Sequence, residues 1–156
     1  MSVRPNRFTL VSAVHLFLVR DDRVLLLRRY GTGYEDGNYS VPAGHVDGGE
    51  PVSHAMAREA FEETAVRIEP ADLAVVHVMH RRCADAAGDP EERIDFFLVP
   101  ARWRGEPRIA EPGKCDGLLW CPSGDLPGNT VPYVRHAFDA YREGRSYSEY
   151  GWAGVL

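Results

Sequence analysis

A cluster of acidic residues on one predicted helix constrains this chain more than any other feature. Glu59, Glu62 and Glu63 fall within a narrow arc at about 100° per residue, so their carboxylates converge on one helix face. Such a cluster repels itself unless a cation is bound. Mg²⁺ or Mn²⁺ suits it, because these ions prefer oxygen ligands and keep positions open for water and phosphate oxygens. The cluster therefore predicts a divalent-metal site for phosphate chemistry.

The same residues have a second interpretation, as a solvated helix face. Arg58 and Glu62 have the i,i+4 spacing at which weak ion pairs form on exposed helices. The preceding residues favour the metal site, because a strand-like stretch over 37–44 ends in a tight turn and the loop 45–49 leads into the helix. We expect the helix to start at Pro51, since proline is favoured at the first helical position.

In this context the chain resembles the Nudix hydrolases, whose signature reads G-x5-E-x7-R-E-U-x-E-E-x-G-U, where U is aliphatic. The residues that match in the same register are Gly44, Glu50, Arg58, Glu59, Ala60, Glu62, Glu63 and Val66. Ala65 stands where the family has glycine, a residue that permits a left-handed or close-packed helix exit. We therefore expect a slightly different helix end with every metal-binding carboxylate in place. This many fixed positions is a far stronger signal than a lone glycine-rich motif.

Apolar patterning predicts an α/β fold. Residues 8–19 and 24–29 are predicted to form a hairpin around Asp21-Asp22, and residues 73–79 and 94–99 form strands joined by a polar loop over 83–92. Residues 118–121 add a short strand, and a last helix covers 132–143. The apolar side of the acidic helix consists of Val52, Ala55, Met56, Ala60 and Phe61. Strands interleaved with two helices imply a sheet covered on both faces, and the resemblance implies the Nudix-type α/β/α sandwich with a mixed central sheet.

Length and composition fit one compact domain over residues 1–156. The chain is 44% hydrophobic, enough for one sizeable core, and its net charge of -5 argues against a nucleic acid polymer as partner. Its three cysteines form no Cys-x-x-Cys pair, so a reduced, cytoplasmic compartment is expected. No apolar run approaches the ~20 residues that span a bilayer, and residues 1–7 lack a signal-peptide core, so no membrane partner is expected.

An acidic protein that handles phosphates needs local cations. Lys114 is the only lysine, and every other basic side chain apart from histidine is arginine, whose planar fork suits phosphate oxygens.

The resemblance is closest to MutT-type enzymes and implies roles for residues outside the helix. Arg29 of the Arg28-Arg29 pair would contact substrate phosphates, and Glu111 after the segment 103–107 would assist the metal or the attacking water. Asn129 would read a purine edge, since an amide offers both a donor and an acceptor. His45, where the family often has lysine, would touch a phosphate.

Each of these residues also has an ordinary interpretation. An arginine pair at a strand end is commonly solvated, and Glu111 is one loop acid beside Glu91, Glu92 and Asp116. Asn129 or Thr130 can simply cap the last helix, and His45 can be merely exposed.

The mechanism implied by the resemblance centres on the acidic helix. Glu59, Glu62 and Glu63, with a backbone carbonyl from Ala43 or Gly44, would hold Mg²⁺ or Mn²⁺. Arg58 would position the cluster, Glu50 would support the loop, and Glu63 or Glu111 would take the proton of the attacking water.

The expected activity is hydrolysis of a small nucleotide, a nucleoside triphosphate cleaved to monophosphate and pyrophosphate. ADP-ribose, a nucleotide sugar or a dinucleoside polyphosphate remain alternative substrates, because the signature addresses only the diphosphate and its metals. A non-catalytic Nudix-like ligand sensor is the alternative of another class. The tail 147–156 would cover an edge of the core or meet a second subunit, which leaves a homodimer open.

Overall fold

The computed structural model of the chain describes residues 6–154. In that range the strands are β1 (Val11–Leu16), β2 (Val19–Arg20), β3 (Arg23–Arg29), β4 (Tyr39–Ser40), β5 (Ala43–His45), β6 (Leu73–Ala84), β7 (Pro90–Pro100), β8 (Cys115–Pro122) and β9 (Tyr147–Tyr150). The helices are α1 (Val52–Thr64) and α2 (Pro132–Arg142), with a short 3₁₀ turn at Pro70–Asp72 before β6. No helix within residues 6–154 combines the length and apolarity needed to cross a bilayer.

The strands form two sheets. The larger has the order β5-β1-β7-β6-β9 and is mixed, because β1 runs parallel to β7 and β9 runs parallel to β6, while the other pairs are antiparallel. In the smaller sheet β3 pairs with β2, β4 and β8, all antiparallel. The mixed central sheet that the resemblance implied is confirmed.

The two helices cover opposite faces of the larger sheet. Leu16 and Leu18 belong to the apolar cluster around Met56 of α1, whereas Phe17 lies between them in sequence and packs with Phe138 of α2. Side chains alternate between the faces of a strand, so this alternation assigns each helix its own side. The α/β/α layering expected from the resemblance is therefore confirmed.

The predicted hairpin over residues 8–29 is shorter than the sequence suggested. Only Val19–Arg20 pairs with the start of β3, while Val11–Leu16 joins β5 and β7 in the other sheet. Asp21 and Asp22 have φ values of 52° and 58°, the positive angles of a tight two-residue turn. One continuous apolar run thus supplies strands to both sheets.

The predicted loop over residues 83–92 is wrong at both ends, because β6 and β7 continue as a ladder to the pair Ala84 and Pro90. Polar cross-strand pairs stabilise this extended part of the ladder, where the strands no longer alternate apolar and polar residues. Arg81 donates to the buried Asp95 with 2.7 Å between Nε and Oδ2, and His80 lies 3.1 Å from Glu92. Cross-strand pairs of this kind stabilise a sheet that the hydrophobic pattern alone does not predict.

The tail 147–154 covers a sheet edge, one of the two roles expected for it. Tyr147–Tyr150 is β9 and pairs parallel to β6, and the Trp152 indole donates to the carbonyl of His80 at 3.1 Å. The final two residues lie outside the described range.

Helix α1 differs from the prediction at its start and on one side. Pro51 is the extended N-cap, so the helix begins one residue later, at Val52. Phe61, predicted on the buried side, is 43% exposed. The Arg67 guanidinium covers its ring at 4.5 Å, which explains how an exposed aromatic is accommodated there.

The end of α1 keeps a left-handed residue although glycine is absent. Ala65 has φ 62° and ψ 12°, and its N–H donates to the Phe61 carbonyl at 2.9 Å. The expectation of a different helix exit is therefore wrong. A residue with a Cβ costs about 1–2 kcal/mol in this conformation.

We expect Ala65→Gly to stabilise the protein by about 1 kcal/mol, because glycine adopts positive φ without the steric cost. Urea unfolding measures the free-energy difference. The matched control is Ala57→Gly in the middle of the same helix, which should destabilise by about 1 kcal/mol. Destabilisation by both variants would show that the left-handed exit carries no strain.

Candidate active site

The site begins where α1 packs against β5. A Cβ built on Gly44 would lie 2.0 Å from the Glu59 carboxyl carbon, far inside van der Waals contact. A residue with a Cβ at this position would displace the Glu59 carboxylate from the strand. Gly44 therefore leaves room for the Glu59 carboxylate to lie directly on the strand that precedes the helix.

Arg58 joins the acidic helix to the loop before it. Its guanidinium donates to Glu50 Oε1 at 2.7 Å and Oε2 at 3.2 Å, and to the His45 carbonyl at 3.2 Å. It also donates to Glu59 at 2.9 Å and Glu62 at 3.4 Å. The bond to Glu50 is the main cause that raises the pKa of Arg58. Arg58 is thus a fixed cation that orients three carboxylates at once.

Glu63 faces away from Arg58 and has a different environment. Its Oε2 accepts a 2.9 Å hydrogen bond from the Ala43 N–H. The pKa of Glu63 is raised to about 8, chiefly by burial; the charges of Glu59 and Glu111 add to the rise, and the Ala43 bond opposes it. Burial also raises the pKa of Glu59, although Arg58 opposes this. Two crowded carboxylates thus resist ionisation on one side of α1.

A cavity of about 50 Å³ brings Glu63 together with residues distant in sequence. Its lining consists of Leu27, Arg28, Arg29, Ser40, Val41, Ala43, Glu63, Glu111, Lys114 and Cys115. Two acidic and three cationic side chains therefore line one small cavity, and the lining residues come mainly from β3, β5, α1 and the loop before β8.

The two cavity arginines already have partners. Arg28 forms a two-pronged contact with Asp116, at 2.7 and 2.9 Å. Arg29 donates from Nε to the Tyr34 carbonyl at 2.7 Å and from its terminal nitrogen to the Thr32 hydroxyl at 3.0 Å. Arg29 thus lines the cavity and also organises the loop 30–37; its contact with phosphate stays a prediction.

Two predicted substrate contacts lie outside this cavity. The exposed His45 ring is 3.2 Å from the Arg93 guanidinium. Asn129 is exposed and donates its amide to the Gly37 carbonyl at 3.0 Å. Helix α2 has Val131 as N-cap without a side-chain cap, so neither Asn129 nor Thr130 caps it.

Among residues 6–154, no three His, Cys, Asp or Glu side chains form a preassembled metal cage. The contacts explain this, because Glu59 and Glu62 are turned to Arg58 and Glu63 is turned to the Ala43 N–H. The donor chemistry nevertheless fits a hard divalent cation, since carboxylate oxygens are the ligands such ions prefer. The raised pKa values of Glu59 and Glu63 mark a cluster whose ionised form a cation would stabilise.

Sequence reasoning missed two lining residues, Lys114 and Cys115. The signal for Lys114 was its status as the only lysine; Cys115 had no comparable signal. It also missed a buried polar group under α2, in which the Arg81 guanidinium lies 3.7 Å from the centre of the Tyr133 ring and the His15 ring bonds the Tyr133 hydroxyl at 3.1 Å. Burial lowers the pKa of His15 to about 4, so this group holds a neutral imidazole.

The α/β/α fold and its acidic helix define a hydrolase domain of the kind that acts on phosphoric anhydrides. The chain belongs to the Nudix family, since the model of the NUDIX domain matches residues 9–141.

Known proteins agree with this assignment. The chain is 30% identical to the MutT NUDIX hydrolase from Burkholderia pseudomallei, with a TM-score of 0.73 over 85% of this chain and 98% of that one. The mutator MutT protein from Bacillus halodurans has the same fold, at 20% identity and a TM-score of 0.70 over 90% of this chain and 88% of that one.

The NAD-capped RNA hydrolase NudC from Chromobacterium violaceum is 27% identical over 139 residues, which are 85% of this chain and 48% of that protein. The chain spans about half the length of the curated relatives it matches or less.

We expect the raised pKa of Glu63 to make the metal-free protein less stable as pH rises. The ordinary value is 4.5 and the folded value about 8, so the folded state binds this proton more tightly. The resulting stability is complete below pH 4.5 and is lost as pH rises through about 8, by at most a few kcal/mol.

Urea unfolding in the presence of a chelator, at pH 5, 6.5 and 8, tests this directly. Glu63→Gln keeps an acceptor for the Ala43 N–H but does not titrate, so its stability should fall less over the same range. Parallel pH profiles for the two proteins would contradict the assignment.

Proposed function

We propose that this protein is a Mg²⁺- or Mn²⁺-dependent pyrophosphohydrolase of nucleoside diphosphate derivatives, which cleaves a nucleoside triphosphate to monophosphate and pyrophosphate. One observation carries the proposal: Glu63 and Glu111 line the same small cavity as Arg28, Arg29 and Lys114. The carboxylates in this cavity can bind a cation or accept a proton, and the cationic side chains can bind phosphate oxygens.

Glu59, Glu62 and Glu63, with a backbone carbonyl of Ala43 or Gly44, would hold the metal. When bound, the ion neutralises phosphate charge and activates water for attack. Arg58 contacts Glu59 and Glu62 at 2.9 and 3.4 Å, and these carboxylates would turn in part from Arg58 to the ion. Gly44 leaves room for the Glu59 carboxylate beside the backbone of β5, the strand whose carbonyls would take part.

The proton of the attacking water goes to a carboxylate in the cavity. Glu63 is the first candidate acceptor, because it lines the cavity. Glu111 is the second acceptor, and its charge is one of the causes that raise the pKa of Glu63. Comparison of Glu63→Gln with Glu111→Gln in the same assay assigns the role.

The size of the cavity supports phosphate binding inside it and base binding outside it. Its 50 Å³ lies far below the ~300 Å³ at which pockets for whole drug-sized ligands begin. Asn129 would read a purine edge on the exposed surface, with its carbonyl oxygen as acceptor and the second N–H of its amide as donor, since the first donates to the Gly37 carbonyl. Arg29 would bind phosphate at the border between the two regions.

A dinucleotide is the second candidate substrate. The similarity to an NAD-capped RNA hydrolase favours a nucleoside diphosphate joined to another nucleoside. ADP-ribose, nucleotide sugars and dinucleoside polyphosphates share the same diphosphate and belong in the same screen.

We expect Glu63→Gln to lower kcat by at least about 100-fold while the protein stays folded, because a metal ligand or proton acceptor is lost. The measurement is a Mg²⁺-dependent hydrolysis screen against canonical and oxidised nucleoside triphosphates, NAD, ADP-ribose, nucleotide sugars and dinucleoside polyphosphates. Glu69→Gln is the matched control, because Glu69 is exposed and pairs with Arg104 outside the cavity.

Each outcome selects among the candidates. Release of monophosphate and pyrophosphate from a triphosphate supports the main proposal, and turnover of a dinucleotide or sugar conjugate alone moves the second candidate to the front. Tight binding without turnover of any compound would instead favour a ligand sensor. Near-normal turnover by Glu63→Gln would contradict the role of Glu63.

A further inference from the structure

Of the cationic side chains that line the cavity, Lys114 has the weakest contacts with other residues. It ends the turn before β8, where its N–H donates to the Glu111 carbonyl at 2.9 Å. Its ammonium lies 3.5 Å from Glu111 Oε2, and the two side chains are 69% and 33% exposed. Exposed pairs of this kind contribute little to stability. The side chain can therefore exchange its partner at small cost.

The other two cations in the cavity differ in this respect. Arg28 has two short bonds to Asp116, and Arg29 has two bonds to oxygens of the loop 30–37. Each guanidinium can offer only its remaining N–H groups to a ligand. Lys114 differs from both arginines among the cavity side chains described. Its ammonium group has three N–H donors, and its one ion pair, with Glu111, is long at 3.5 Å.

The position of Lys114 also places its charge beside the predicted chemistry. It lines the same cavity as Glu63, and its charge lowers the pKa of that group, against the larger effect of burial. A substrate diphosphate in this cavity would bring phosphoryl oxygens close to Glu63 and hence to the ammonium. A compact, flexible point charge suits such an oxygen without demanding a fixed orientation.

We propose that Lys114 is a substrate-binding residue that exchanges Glu111 for a non-bridging phosphoryl oxygen of the bound diphosphate. This inference rests on the proposed function, because it assumes that the cavity receives the diphosphate of the substrate. No bond forms or breaks at Lys114, so its contribution is to binding and not to the proton transfer. The exchange also leaves the Glu111 carboxylate available to the reaction.

Steady-state kinetics on the best substrate of the screen provides the first test. Lys114→Gln should raise KM by about 10-fold with kcat within about 3-fold, since a charge-assisted hydrogen bond to the substrate is lost. Lys114→Arg should restore most of the affinity. The matched control is Arg104→Gln, which removes an exposed arginine that lies 3.3 Å from Glu69 and away from the cavity, and should leave KM unchanged.

The single lysine permits a direct binding measurement that needs no turnover. Reductive methylation with ¹³C-formaldehyde labels Lys114 and the terminal amine of the chain, and the Lys114→Gln spectrum assigns the two signals. Inorganic pyrophosphate with Mg²⁺ should shift the Lys114 signal and not the terminal one. Arg104→Gln should show the same shift as the unmodified sequence.

The two measurements separate failure of this proposal from failure of the proposed function. Normal hydrolysis by the parent protein with an unchanged KM in Lys114→Gln, or with a stationary Lys114 signal at saturating pyrophosphate, would overturn the role of Lys114 alone. A fall in kcat at constant KM would also overturn it, since Lys114 would then act by positioning Glu111. No hydrolysis of any compound by the parent protein would count against the proposed function, and the pyrophosphate shift would still decide whether Lys114 contacts phosphate.

Discussion

The close packing of α1 against β5 is the contact on which the site depends. A Cβ on Gly44 would lie 2.0 Å from the Glu59 carboxyl carbon, so the Glu59 carboxylate packs directly on the backbone of the strand. The same side of α1 carries Ala55, Met56 and Ala60, which are fully buried against the larger sheet. The apolar contacts hold the helix on the sheet, and the missing side chain at Gly44 leaves room for the Glu59 carboxylate beside the strand.

This packing creates an electrostatic cost that the chain offsets only in part. Arg58 compensates Glu50, Glu59 and Glu62 through contacts of 2.7 to 3.4 Å. Glu63 lies beyond this network, accepts a backbone N–H, and retains a pKa near 8. Strongly shifted groups in a cleft are typical of functional sites. A stabilising cation at Glu63 would complete the compensation that Arg58 begins.

The sequence predicted the helix and its acidic face well because the 3.6-residue period and the signature spacing are local properties. Which strands belong to which sheet was harder to predict. The apolar run around Phe17 gives no sign that its two halves join different sheets, and the ladder of β6 and β7 is extended by the Arg81 and Asp95 pair, which only tertiary contact reveals. At Ala65 the fold overrides a local preference, since it imposes a left-handed backbone conformation that alanine does not favour.

The same distinction applies to the site. Glu63 could be named from helical spacing, but its proximity to Lys114 depends on the turn before β8, more than 40 positions later in the chain. Asn129 is the reverse example. Its sequence context predicted a substrate contact, but its side chain lies outside the cavity and donates to the Gly37 carbonyl. Residues that meet through long-range topology are invisible to spacing arguments, whatever their chemistry.

The most direct measurement of the central claim is Mn²⁺ binding to the metal-free protein, followed by the loss of the electron paramagnetic resonance signal of free Mn²⁺. The account predicts saturable binding that is strongly weakened by Glu59→Gln or Glu63→Gln and unaffected by Glu69→Gln. Equal binding by all four proteins, or none by the parent protein with or without pyrophosphate, would contradict a metal site on the acidic face of α1.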